Sequence, residues 1–328
     1  MPTESPDSAA VSPLARALLA AFVFAAGMAG AVQSRANGTL AVEVGVPVYA
    51  ALWSFFSGLA ILTCGFAMAA VRRAAVRLYR AFRRGELRWW EFAGGLVGGG
   101  FVGVQTYAVP VAGVALFLVS VVAGQSVGAL IVERWGFGGA GPRALSLSRV
   151  GWAALTVGGA AFAMSGRIGA SGDALAVVLP VLASILIGAL VALQTALNGK
   201  VRAVGGNFWV AAWGNFMWGS GLLLGMFAVQ WASGGLATVR EWSGAPWWAY
   251  LGGAVGIIVV VAGAVAVRPL GVLTVMLLMI SGQLLGALAL DLADPTTRHL
   301  VTLSLVVGVL ITLGAAFGSA LTPRRRAH

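Results

Sequence analysis

The pattern of apolar and polar positions resolves into ten apolar runs of helical length, at about 15–37, 47–71, 92–111, 114–133, 150–166, 175–197, 208–231, 247–267, 270–291 and 300–321. A helix that crosses a bilayer needs roughly 20 apolar residues. Two separations are tight, at Val109-Pro110 and Arg268-Pro269. Proline limits helix continuation, so each is expected to be two spans joined by a short turn. The composition agrees. The 328 residues are 59% hydrophobic and 9% charged, against roughly 25% charged in a soluble domain. Such a chain could not cover a water-facing surface with polar groups, so an integral membrane protein is expected.

Charge then orients the spans. With ten spans and the N-terminus inside, 17 of the 21 basic residues fall on the inner side, and four (Arg35, Arg167, Arg240 and Arg298) fall outside. Cytoplasmic loops carry such an excess, which favours both termini in the cytoplasm. The +11 net charge sits in short inter-span segments rather than along one face, so nucleic acid is not an expected partner. The densest segment, residues 72–91, reads first as an orientation signal and second as a site for anionic lipid or a regulator. Trp89 and Trp90 beside it read as interfacial residues. Cys64 is the single cysteine and His299 and His328 the only histidines, so no disulfide framework, metal centre or cofactor is expected.

Polar residues interrupt the apolar runs in pairs. The stretch 27–40, "GMAGAVQSRANGTL", returns at 188–201 as "GALVALQTALNGKV", with a constant offset of 161 that matches Gln33 to Gln194 and Asn37 to Asn198. Ser54 matches Asn215 at the same offset. After a three-residue deletion, 89–95 matches 247–253 and 113–133 matches 271–291, which aligns Gln125 with Gln283, Gly124 with Gly282, Gly128 with Gly286 and Glu133 with Asp291. The expected organisation is a disordered tail (1–13), a five-helix repeat (14–166), a linker (167–174), a second repeat (175–322) and a basic tail (323–328). Five is odd, so the second repeat starts on the opposite side of the bilayer. Inverted repeats of this kind recur in secondary transporters, with the substrate site at the repeat interface.

The paired polar residues are the candidate substrate path. Gln33/Asn37 and Gln194/Asn198 each share one helix face and read as two symmetric rims, with helix capping an alternative for the asparagines, each of which precedes a glycine. Gln125 and Gln283 fall near mid-span, each inside a Gly-x-x-x-Gly that favours close helix packing. Ser54 and Asn215 sit among aromatics. For all of these, interhelical hydrogen bonding competes with path lining. Glu133 and Asp291 end their spans on opposite sides of the membrane. They read as anchors paired with Arg134 and Arg298, or as a pair of gates. Arg35 has no counterpart, since Ala196 occupies the matching place.

The five spans per half, the paired Q-x-x-x-N-G and the paired G-Q-x-x-G-A-L resemble the YdcZ-type inner-membrane exporter family of the drug/metabolite transporter superfamily, in a fused two-repeat form. The resemblance covers nearly the whole chain. It implies a ten-helix, multi-pass protein of the bacterial inner membrane that exports a small metabolite or amphiphile by alternating access. A proton or sodium gradient is a candidate energy source, membrane lipids are neighbours, and fusion of both repeats allows a monomer to work. Small multidrug exporters of the superfamily use a glutamate in their first helix. Gln33 and Gln194 stand in the corresponding spans here, which speaks against that coupling route. A flippase for a lipid-linked precursor and a non-transporting scaffold or sensor are the alternatives. An enzyme is not expected, because no nucleophile–base pair or metal cluster falls in the spans.

Overall fold

The computed structural model describes residues 12–136, 145–171, 173–234 and 244–321. Residues 1–11 of the expected N-terminal tail, the basic C-terminal tail, Arg143 and Arg240 lie outside them. The described residues are all-helical, in the order α1 (Pro13–Val44), α2 (Pro47–Cys64), α3 (Ala69–Arg83), α4 (Trp89–Phe92), α5 (Gly95–Ala112), α6 (Val114–Trp135), α7 (Leu147–Ser171), α8 (Ala174–Gly205), α9 (Phe208–Ala232), α10 (Gly252–Leu270), α11 (Val272–Ala293) and α12 (Leu303–Leu321). Eight of these helices are long and apolar enough to cross a membrane, and α9 and α10 are the two other long ones. In α9, Trp209, Trp213, Trp218, Trp231, Asn215 and Gln230 dilute the apolar run.

The helix ends differ from the sequence expectation for identifiable reasons. Pro13 opens α1 and Ser12 caps it, accepting the Ala15 N–H at 3.2 Å, so the helix begins where the tail was expected to finish. Proline suits this position because its missing N–H would have no partner there anyway. Pro110 and Pro269 lie inside the last turns of α5 and α10 rather than at the breaks. The breaks come at Gly113 and Gly271, with φ +83° and +81°, a conformation that an L side chain resists. α1 and α8 each run 32 residues and end at the left-handed glycines Gly45 and Gly206. Asn37 and Asn198 are therefore inside helices, a full turn and more from either end, and do not cap them. At 1.5 Å per residue these helices are about 48 Å long, well beyond the roughly 30 Å hydrocarbon core. α7 continues to Ser171, so the connection to α8 is shorter than 167–174.

Contacts fix the relative directions of the long helices. Gly27 and Gly30 of α1 meet Met279 and Gln283 of α11, and Gly282 and Gly286 meet Phe24 and Met28, so α1 and α11 run the same way. Gly124 and Gly128 of α6 meet Ile185 and Ala189 of α8 in the same parallel sense. α5 runs parallel to α1, since Gln105 bonds to Ser34 and Asn37 while Val109 meets Gly38. It runs antiparallel to α8, because Gly94 meets Asn198 and Gly100 meets Ile187. α1 and α8 thus point in opposite directions. The most extensive packing joins α6 to α8, α1 to α11 and α7 to α12. Each of these interfaces crosses the halfway point of the chain, so the two halves interlock rather than sit side by side. The largest buried cluster centres on α6, from Val114 to Ala123.

α3 is different in kind. It lies across the ends of α8 and α9, burying Val71, Ala74, Leu78 and Ala81 against Val201 and Val210. Its arginines face outward or cap neighbours. Arg77 donates to the Gly205 carbonyl at 2.9 Å, at the end of α8.

Candidate functional site

Each half of the chain places its polar residues where its first helix crosses other helices, but the two results differ. In the first half, Asn37 Nδ2 donates to Gln105 Oε1 at 2.6 Å, Gln105 Nε2 donates to Ser34 Oγ at 2.8 Å, and Ser34 Oγ donates to the Gly30 carbonyl at 3.0 Å. Ser34, Asn37 and Gln105 are all essentially inaccessible to solvent. Asn37 Oδ1 has no hydrogen-bond donor and lies against the backbone of Gly252, next to Ser54 Oγ. This cluster ties α1 to α5 and is closed on itself.

In the second half the corresponding groups stay half-buried. Gln194 Nε2 donates to Asn215 Oδ1 at 3.1 Å, joining α8 to α9. Gln194 also lies against Gly98 of α5, and Asn198 against Gly94, which caps the start of α5. Gln194, Asn198 and Asn215 all keep some exposure. The difference has a cause in sequence and packing. Gln105 has no counterpart, since Gly263 occupies the matching place on α10, and α10 does not pack along α8 as α5 packs along α1. Thr195, which matches Ser34, is exposed and turns back on its own helix at the Val191 carbonyl, 2.8 Å away. Gln105 belongs to no repeated pair, so the internal repeat does not single it out. An unpaired amide in an apolar helix was the available signal.

The four glutamines are not joined to one another by any hydrogen bond among the described residues. Gln33 lies against Gly256 on α10 and Gln283 against Gly30 on α1, so these two flank one side of α1. Gln194 sits between α5, α8 and α9. Gln125 is half-buried on α6, one residue past Gly124, whose backbone contacts α8. Gly124, Gly128, Gly282 and Gly286 all face backbone atoms of the crossing helix. Around Ser54 and Asn215, the aromatics pair with each other. Phe55 and Phe216 have ring centroids 4.9 Å apart, Trp53 and Tyr250 5.6 Å apart, and Trp53 Nε1 donates to the Tyr250 carbonyl.

Glu133 and Asp291 occupy unlike surroundings. Asp291 is fully buried at the end of α11. Its carboxylate accepts the first N–H groups of α6, from Val114 at 3.2 Å and Ala115 at 2.8 Å. A helix N-terminus carries orphan N–H donors and a positive dipole end, which suits a carboxylate. Arg35 lies 3.9 Å from Asp291, pairs with Asp294 and donates to Thr297 Oγ1 at 3.2 Å. Thr297 in turn donates to the Asp291 carbonyl. Arg167, 7% exposed, donates to the Val111 carbonyl at 3.0 Å. Arg35, without an account in the sequence, is thus, with Arg167, one of two cations in a cluster that binds α1, α5, α6, α7 and α11 together. Glu133 is half-exposed and pairs within its own half with Arg149, at 2.6 Å. The partners of the two carboxylates are therefore Arg149 and Arg35, not Arg134 and Arg298. On the same end as Glu133, Lys200 Nζ bonds Glu91 at 2.5 Å. Among the described residues, no group of three His, Cys, Asp or Glu side chains is placed to hold a metal ion.

Gln105→Leu tests the closed cluster. It leaves Asn37 Nδ2 without an acceptor and takes the donor away from Ser34 Oγ, which keeps its bond to the Gly30 carbonyl, and is expected to destabilise the protein by about 1–3 kcal/mol, read as a lower unfolding midpoint in detergent. Adding Asn37→Leu should recover part of the loss, since removing both partners of a buried bond is less costly than removing one.

The family model described as "Putative inner membrane exporter, YdcZ" matches twice, over residues 18–162 and 179–318. No curated protein matches the chain.

Proposed function

The chain belongs to the YdcZ inner-membrane exporter family of multi-pass proteins, and on that premise we propose that it is a secondary transporter that exports a small solute by alternating access. In this reading ten helices cross the membrane as two inverted repeats, with both termini in the cytoplasm. The opposite directions of α1 and α8 support the inversion. The sorting of charges supports the sidedness. Arg35 and Arg167, assigned outside from sequence, belong to the Asp291 cluster, while Arg77, Arg149 and Lys200, assigned inside, bind groups at the other helix ends.

The observation that carries the mechanism is the inequality of the two ends. Asp291 is sealed between α6, α11 and Arg35, whereas Gln194, Asn198 and Asn215 are only partly buried, in the part of α8 and α9 nearest Glu91 and Lys200. This suits a state shut on the outer side and accessible from the cytoplasm. The solute would meet the amides of Gln194, Asn198 and Asn215 first, with Gln125 and Gln283 deeper along α6 and α11. These amides both donate and accept hydrogen bonds. Movement to the outward state requires the Asp291 cluster to part while the Gln194 side closes, which the repeat symmetry allows.

The test is flux in proteoliposomes of purified protein against a metabolite and amphiphile panel, under proton and sodium gradients. At least one compound should accumulate in a gradient-dependent way. Gln194→Ala and Asn215→Ala should each lower that flux about tenfold or more, the loss of one buried polar contact to a solute, without altering the unfolding midpoint by as much as Gln105→Leu does. Flux unchanged in both variants would remove these residues from the path. Absence of flux for every compound would remove the transporter reading itself.

A further inference from the structure

The basic segment that the sequence assigned to orientation has a built shape. The apolar side of α3 is already covered by α8 and α9, so the bilayer is not needed to bury it. Its outward side carries Arg73, Arg77 and Arg80, continued by Arg84 at its C-terminal cap, at spacings of four, three and four residues. Residues so spaced are neighbours on a helix surface, and like charges there repel. Among the described residues only Arg84 of this ladder has a carboxylate at ion-pair distance, Glu86. Arg72, also exposed, donates to the Phe66 and Ala67 carbonyls at 2.8 and 2.6 Å.

Between the side chains of this one helix, Ala69, Arg72, Arg73, Val76, Arg77 and Arg80, lies an open, shallow surface groove. Val76 and Tyr79 are 47% and 64% exposed on the same helix, and Met68 precedes it at 48%. The groove therefore offers guanidinium groups next to uncovered apolar side chains. It sits at the level where α8 ends and α9 begins, the depth of lipid headgroups for helices that span the bilayer. Trp89, 68% exposed just beyond α3, marks the same level, because tryptophan concentrates at membrane–water interfaces.

We propose that this groove is a binding site for the phosphate of an anionic phospholipid headgroup, with Arg73 and Arg80 as its main contacts and Val76 and Tyr79 against the upper part of an acyl chain. Guanidinium forks match phosphate oxygens bidentately, and the bound anion relieves the repulsion along the ladder. The apolar neighbours favour a lipid over a soluble phosphate, which has nothing to place on Val76 and Tyr79. Arg77 links the groove to the end of α8 through the Gly205 carbonyl, so occupancy bears on the helix that carries Gln194 and Asn198.

The experiment uses the full chain in nanodiscs of phosphatidylcholine with a graded fraction of phosphatidylglycerol. The readouts are lipid co-purifying after detergent extraction and the unfolding midpoint. Phosphatidylglycerol should be retained over phosphatidylcholine and should raise the midpoint, and R73Q/R80Q should weaken that preference roughly tenfold or more. R134Q, an exposed arginine on α6 away from the groove, should leave it unchanged. The wild type supplies a readout independent of any variant, since salt should displace the lipid. Three results overturn the proposal: no preference for the anionic lipid, equal loss in R134Q and R73Q/R80Q, or stabilisation by inorganic phosphate in detergent equal to that by phosphatidylglycerol.

Discussion

Asp291→Ala is expected to destabilise the protein by about 3–5 kcal/mol, the range for removing one partner of a buried ion pair. Two losses combine. The Arg35 side chain is 14% exposed and leans on Asp291 and Asp294; without Asp291 its charge is left with the more exposed partner alone. The Val114 and Ala115 N–H groups, which have no acceptor within their own helix, lose the carboxylate that satisfies them. Asp291→Asn keeps an acceptor for one of those N–H groups and should fall between wild type and alanine. Arg35→Gln should cost less in the Asp291→Ala background than in wild type, because paired groups are not additive. The measurement is the unfolding midpoint in detergent for the four members of that cycle. Strictly additive values would show that Arg35 and Asp291 do not act together, and a near-neutral Asp291→Ala would remove the cluster as the outer closure. Gly113 belongs to the same structure. A Cβ there would lie 2.9 Å from Asp291 Oδ2, on a residue whose φ of +83° already disfavours a side chain.

Gly188→Val should be the other large effect, at about 1–3 kcal/mol or somewhat more. A Cβ at Gly188 would overlap the Val121 carbonyl, and one at Gly124 would overlap the Ile185 carbonyl. These are backbone atoms, so no rotamer change relieves them and the α6–α8 interface must open. Gly124→Val should behave alike, and the pair in one chain should cost less than the sum, since the first opens the interface for the second. Gly158→Val on α7 is the internal comparison. Nothing lies within 4 Å of its added Cβ, and it should stay within about 0.5 kcal/mol of wild type. Equal effects at Gly188 and Gly158 would mean that glycine acts through helix propensity rather than close approach. The equivalent crossing of α1 and α11, through Gly27 and Gly282, is expected to respond as Gly188 does.

The sequence expectations and the structure part company at particular residues. Boundaries were displaced where glycine geometry, rather than proline, ends a helix. Pro110 and Pro269 fit inside a last turn because a proline there forgoes only one hydrogen bond and its neighbours can adjust. Gly113 and Gly271 force the chain out of the helix. Asn37 and Asn198 stand at the ends of the apolar runs expected at about 15–37 and 175–197. The helices continue because Asn37 finds Gln105 and because Asn198 packs against Gly94. Glu133 and Asp291 align in sequence but not in environment. Alignment records which residue follows which, whereas burial depends on what packs over them.

What the sequence by itself determined is the class of molecule and its internal repetition. Length of apolar run, scarcity of charge and the bias of arginine to one set of loops are local quantities, and the repeat is a comparison of the chain with itself. All can be read without knowing what touches what. The partners of the polar groups were decided only by the tertiary structure. Arg35 meets Asp291 and Asp294, Gln105 meets Ser34 and Asn37, and Gln194 meets Asn215 because helices far apart in the chain cross there. In an apolar helix bundle several crossings offer similar packing, and the choice among them is made by many small contacts and by where glycine allows backbones to touch. That choice also broke the symmetry. One unrepeated residue, Gln105, closed the polar cluster of the first half, while in the second half α10 does not pack along α8 and the matching contact is not made.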